Sequence, residues 1–141
     1  MQVSEVMTAQ VSTATPRSTI RDVARTMAEV ESGAVPVVDG GKVVGLVTDR
    51  DIVLRVVAEG KGLDTPVSEV MTEEVETCRE DDNVAEATGK MSSKQIRRLV
   101  VLNESGNLAG MLSLGDVAID YGAKAVGKTL SDISENTPTA H

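Results

Sequence analysis

Residues Val3-Ser4-Glu5-Val6-Met7-Thr8 recur letter for letter 64 positions later as Val67-Ser68-Glu69-Val70-Met71-Thr72. Self-similarity at a fixed period makes each copy one structural unit, so any fold assigned to this chain must be buildable twice. A second echo runs in register with the first. Gly45-Leu46-Val47-Thr48-Asp49-Arg50-Asp51 carries an aliphatic strand into a hydroxyl and a carboxylate. Gly110-Met111-Leu112-Ser113-Leu114-Gly115-Asp116 repeats that order 65 positions on, with Ser113 for Thr48 and Asp116 for Asp51. The extra position is absorbed by a turn: Asp39-Gly40-Gly41 in the first copy, Asn103-Glu104-Ser105-Gly106 in the second.

Within each copy the hydrophobic pattern predicts strand, helix, strand, strand, helix. The first copy offers a strand at Val11–Thr13 and a helix with Ile20, Val23, Ala24, Met27 and Val30 on one face, with Ser18 or Thr19 as N-cap. A hairpin of Val35–Val38 and Lys42–Val47 and a helix over Asp49–Glu59 complete it. The second copy offers a strand at Val75–Thr77, a helix over Val84–Lys94, strands Leu99–Leu102 and Leu108–Leu112, and a helix over Leu114–Tyr121. Gly89 weakens its first helix by about 1 kcal/mol against Ala, and is read as a tolerated imperfection rather than a point of close helix approach. The expected class is α/β (α+β), with β-α-β-β-α repeats at 1–64 and 65–123 and a partly disordered tail at 124–141. A short helix is expected around Thr129–Ile133, with fraying through Glu135-Asn136-Thr137-Pro138. A three-stranded sheet cannot cover both of its faces, so the two copies are expected to pack on one another.

Composition narrows the partners. The chain of 141 residues has a net charge of −8, no Trp or Phe, and Tyr121 as its one aromatic. Single-stranded nucleic acid is gripped by aromatic stacking in a basic groove, so nucleic acid is not expected as a ligand. The core must be built from Val, Ile, Leu, Met and Ala. Cys78 alone excludes an internal disulfide framework and a Cys-based zinc site. His141 has no companion for a triad or a metal site. The acids around Glu73–Asp82 lack oriented ligand spacing and read as solvated surface. No metal, catalytic residue or required cofactor is expected. Without a basic leader or a run of ~18 apolar residues, the expectation is a soluble, cytoplasmic protein with no membrane partner.

The twin junctions hold the chemistry. A helix N-terminus welcomes phosphate, Thr48 and Ser113 can donate to it, and an ionised Asp51 or Asp116 can accept from both hydroxyls of a ribose. The simpler alternative is that all four are helix caps, for which Ser, Thr and Asp are favoured. Arg97 and Arg98 stand just before an apolar strand in an acidic chain, where two guanidiniums suit di- or triphosphate charge; a solvated strand start is the plain alternative. The first copy has Gly33 and Ala34 there, so two unequal sites are expected. Gly122-Ala123-Lys124-Ala125-Val126-Gly127-Lys128-Thr129 matches the P-loop pattern, but it lacks a leading strand, and its glycines are read as a helix stop.

From about Val3 to Tyr121 the chain resembles a tandem pair of CBS domains, the cystathionine beta-synthase type repeat or Bateman module. The likeness is carried by Thr48-Asp49-Arg50-Asp51, Ser113-Leu114-Gly115-Asp116 and the duplicated plan. The resemblance implies a pseudo-two-fold pair, of a stand-alone bacterial or archaeal type, whose cleft binds adenosine derivatives: AMP, ADP or ATP, and by extension NAD or S-adenosylmethionine. It gives Asp51 and Asp116 to ribose, and Thr48 and Ser113 to phosphate or ribose. It sets Thr13, Gly33, Ala34 and Val35 around the ligand of Asp116, and Thr77, Cys78 and Ile96 around that of Asp51. It further implies a homodimer, commonly a flat disc of two modules, and a sensor of an unknown regulated protein rather than an enzyme. The alternatives are a structural dimerisation unit with degenerate clefts and a small P-loop nucleotide hydrolase, which is disfavoured.

Overall fold

The computed structural model describes residues 1–120 and 123–135. Its described elements are β1 (Thr8–Ala9), α1 (Ile20–Val30), β2 (Ala34–Asp39), β3 (Lys42–Thr48), α2 (Asp49–Ile52), β4 (Thr77–Arg79), α3 (Val84–Lys94), β5 (Arg98–Leu102), β6 (Leu108–Ser113), α4 (Leu114–Asp120) and α5 (Ala123–Glu135). This is a mixed α/β fold written twice. The chain divides into two compact units, Met1–Gln10 with Glu76–His141, and Val11–Val75.

These units are cut differently from the repeats in the sequence, because each takes the opening segment of the other copy. In the first unit, β1 pairs antiparallel with β6, Thr8 opposite Met111, giving a sheet of order β1-β6-β5-β4. In the second, Thr72 takes the place of Thr8 and bridges Leu46 on β3, exchanging two backbone hydrogen bonds of 2.8 and 2.9 Å. Val3 and Val6 are core residues of the first unit, Val67 and Val70 of the second. The crossing explains the glycine that opens each junction motif. A Cβ on Gly45 would strike Met71 and the Thr72 carbonyl, and one on Gly110 would strike the Thr8 carbonyl.

The strand expected at Val11–Thr13 is absent; the chain makes a single parallel bridge from Ala14 to Val37. Its counterpart is a true strand, β4, displaced two residues beyond the expected Val75–Thr77 and parallel to β5 with Cys78 opposite Val101. The cause is two prolines. The Val100 N–H donates to the Glu76 carbonyl at 3.1 Å, and the equivalent position in the first copy is Pro36. The Glu80 N–H donates to the Leu102 carbonyl at 3.0 Å, whereas the equivalent position in the first copy is Pro16, which has no N–H to extend the ladder.

Helices α1 and α3 start at asparagine or threonine caps: Thr19 accepts from Asp22 N–H at 3.2 Å and Asn83 from Ala85 N–H at 2.8 Å. The buried stripe of α1 is narrower than expected, because Ala24 and Val30 lie exposed while Ile20, Val23 and Met27 are buried. A Cβ on Gly89 would meet nothing within 4 Å among the described residues, so the glycine serves no close approach there. The helix after β3 widens into π-type turns over Val53–Val57 and stops short of the expected Glu59. Helix α5 runs from Ala123, well before the expected Thr129, and buries Ile133 in the core of its unit. Gly127 lies inside it, which corrects the reading of that glycine as a helix stop; Gly122 and the segment from Asn136 lie outside the described residues.

Candidate functional site

In the unit holding the second repeat, α3 ends at Gln95, whose φ of 56° turns the chain through Ile96 and Arg97 into β5. Antiparallel pairing then sets Arg98 opposite Ser113, and Leu114 N–H donates to the Arg97 carbonyl at 2.9 Å. The entry to one strand and the exit from the next therefore meet at one edge. There Arg97, Arg98, Ser113, Leu114, Gly115, Ala118 and Leu130 line an open pocket of about 340 Å³. Both arginines are exposed, and two guanidiniums beside a hydroxyl form a cationic spot on an acidic chain.

At the start of α4, Asp116 N–H donates to Ser113 Oγ at 3.1 Å, and Ser113 N–H donates to Asp116 Oδ2 at 3.2 Å. The Thr8 hydroxyl donates to the same Oδ2 at 3.3 Å. This reciprocal cap leaves the Ser113 hydroxyl proton and Asp116 Oδ1 available. The first repeat builds the same device: Thr48 N–H donates to Asp51 Oδ2 at 2.9 Å and Asp51 N–H to Thr48 Oγ1 at 3.1 Å. Here Arg55 Nε stands 3.9 Å from Asp51 Oδ1, whereas the second repeat has Asp120 at the matching position. The two junctions are alike in backbone and unlike in charge.

The remaining sequence candidates are placed as follows. In the unit of Val11–Val75, Ala34 pairs opposite Thr48, Val35 is buried beside it, and the Gly33 carbonyl accepts from Asp49 N–H at 2.9 Å. Thr13 is exposed just before the Ala14 bridge. In the other unit, Thr77 opens β4 and its carbonyl accepts from Lys90 Nζ, while Ile96 packs partly buried against the core. Cys78 is buried, and burial first, with the Asp82 carboxylate second, pushes its thiol up from the ordinary 9.0 to about 11. Lys128 of the P-loop-like stretch sits within α5 and pairs with Asp132 one turn on, at 3.1 Å, so residues 123–129 form a helix rather than a phosphate loop. Thr8, Gly115, Ala118 and Leu130 were not expected at the site. Thr8 had a signal in its repetition as Thr72; Leu130 had none.

No cluster of metal-ligating side chains and no helix long and apolar enough to cross a membrane occurs among the described residues. The CBS domain family matches residues 3–58 and 67–120. The CBS domain-containing protein YhcV of Bacillus subtilis is 40% identical over 133 residues, covering 94% of each chain. Among solved structures, the CBS domain protein PAE2072 from Pyrobaculum aerophilum complexed with AMP superposes with a TM-score of 0.78 at 29% identity, over 93% of this chain and 98% of that one. The CBS domain pair of protein MJ0100, in complex with 5′-methylthioadenosine and S-adenosyl-L-methionine, does so at 0.77 and 26%, over 88% and 98%. The repeat, the folded junctions and these matches agree: the chain belongs to the CBS domain family as a tandem pair.

Proposed function

We propose that the chain is a regulatory module that binds an adenosine-containing ligand, with AMP, ADP and ATP as the first candidates and NAD or S-adenosylmethionine as further ones. The observation that carries this reading is the convergence of Arg97, Arg98 and Ser113 on one pocket at the motif that ends in Asp116. The AMP bound to PAE2072 and the adenosine compounds bound to the MJ0100 pair support the ligand class. In this reading Asp116 and Asp51 take ribose hydroxyls through the carboxylate oxygen their caps leave over, and Ser113 and Thr48 donate to ribose or phosphate. Arg97 and Arg98 give the pocket they share with Ser113 its taste for phosphate. The module carries no catalytic step, acts in the cytoplasm as a homodimer, and reports its ligand to a regulated protein.

Calorimetric titration with AMP and ATP tests it. Loss of one charge-assisted contact costs about 1.5–3 kcal/mol, so Arg98→Ala should weaken ATP by ~10-fold or more and AMP much less. Equal losses for both would remove the polyphosphate role. A structural dimerisation unit is favoured by one observation: both motifs satisfy themselves as helix caps without any ligand. Thermal unfolding separates the two. Ligand at ~100 times Kd adds about 2.7 kcal/mol to a binding protein, and a degenerate scaffold shifts with none of the candidates.

A further inference from the structure

The pocket at Arg97 and Arg98 has a wall that neither repeat supplies. Helix α5 begins after the family match ends at residue 120, yet its Leu130 lines the pocket with both arginines. The helix packs on α3 and α4. Among 127–134 its buried residues are Thr129 and Ile133, and Gly127, Lys128, Leu130, Ser131 and Ser134 are exposed. Leu130 stands one turn before Ile133, so the face that anchors α5 to the core runs on into the pocket. A helix docked onto the core from outside the two repeats opens locally below the cost of global unfolding.

We propose that α5 is a ligand-responsive strap, with Leu130 closing the anion pocket when the helix is docked. The inference rests on reading the Arg97/Arg98 pocket as a phosphate site. Docked beside two like charges, the Leu130 side chain takes water from them; an anion between the guanidiniums relieves that cost, and the apolar wall strengthens the pairing in return. Ligand binding and α5 docking therefore favour each other by the same factor. The output of the sensor is carried by a segment outside the two repeats, whose release exposes the face around Ile133.

Limited trypsin digestion of the full chain, with ATP or inorganic tripolyphosphate as probes, reads the strap at the bond after Lys128, an exposed residue of α5. Cleavage after Lys61, in the turn beyond the first repeat, is the internal control. Saturating ATP should slow cleavage after Lys128 by about fivefold or more relative to that control, the low end of ordinary coupling between sites. Leu130→Ala should weaken calorimetric ATP binding. Leu130→Lys should tighten tripolyphosphate about fivefold or more through one added charged contact, a gain that a misfolded variant does not produce. If ATP binds but cleavage after Lys128 keeps its rate, or if Leu130→Lys leaves tripolyphosphate affinity unchanged, the strap is wrong and the nucleotide reading stands. Protection by tripolyphosphate without any nucleotide binding keeps the strap and overturns the adenosine ligand. No binding of any probe overturns both.

Discussion

Asp116 has one observed role and one proposed one. Its Oδ2 holds the Ser113 N–H and the Thr8 hydroxyl, and its Oδ1 is the atom that the proposed function gives to a ribose. The two roles separate by charge. Asn keeps a carbonyl acceptor for the cap, so Asp116→Asn should hold stability within about 0.5 kcal/mol in urea titrations. The same change should weaken the nucleotide by ~10-fold or more, since a neutral amide accepts less strongly than a carboxylate. Asp116→Ala loses the cap as well and should lower stability by about 1 kcal/mol. Parallel losses of stability and affinity in the Asn variant would mean that the carboxylate is structural alone. Hydroxyl and carboxylate were legible in the sequence because capping and ligand chemistry draw on the same residue types. The need for Gly45 and Gly110 was not: it arises from a backbone crossing that no local pattern encodes. Cys78 makes a separate point. Its pKa is raised in the folded chain, so the native state keeps a proton that the unfolded state releases above pH ~9. Stability should be unaffected by this group below pH 9 and fall as pH rises toward about 11. At pH 7.5 a thiol-directed reagent should label native Cys78 far more slowly than the urea-unfolded chain, and equal rates would contradict its burial.

Among the elements, the closing helices leave one face unexplained by the site they carry. Their first turns carry the motif, and their outer faces carry Val53 and Leu54 in the first repeat and Ile119 in the second, where Ile119 repeats the place of Leu54. Leu54 is 49% exposed and Ile119 82%, which a solvated helix does not require twice at the same position. These faces suit the proposed homodimer, since an isologous contact uses the same patch on both copies. A Leu54→Asp, Ile119→Asp double variant should halve the mass measured by light scattering and leave urea stability of the monomer within about 1 kcal/mol, as both sites are exposed. A dimer that survives both substitutions would put its interface elsewhere. The hairpins and α3 were legible because alternation, turn residues and Asn83 all agree. The shortened first strand was not, because its fate turned on which positions could donate across the strand pair: Glu80 and Val100 can, whereas Pro16 and Pro36 have no N–H.

At the scale of the whole molecule, the repeat in the sequence and the unit of packing are different objects. The six-residue identity at Val3 and Val67 announced a duplication, but its function as an exchanged segment depends on long-range pairing that periodicity does not report. The exchange has a direct energetic consequence. Val67 and Val70 are fully buried in the core of the unit Val11–Val75, and each is worth about 1.5–3 kcal/mol of burial. A fragment of residues 1–64 follows the sequence repeat and lacks both, together with the Thr72 pairing to Leu46. A fragment of residues 11–75 follows the packing and keeps them. Domains of this size are only marginally stable, so losing two core valines exceeds what such a fragment has to spare. Residues 11–75 should therefore show a cooperative urea transition by circular dichroism, and residues 1–64 should show none. Adding a synthetic peptide of residues 65–75 to fragment 1–64 should restore the transition, because it returns the missing segment. If 1–64 folds as well as 11–75, the exchanged segments are dispensable, and each copy of the repeat is a folding unit by itself.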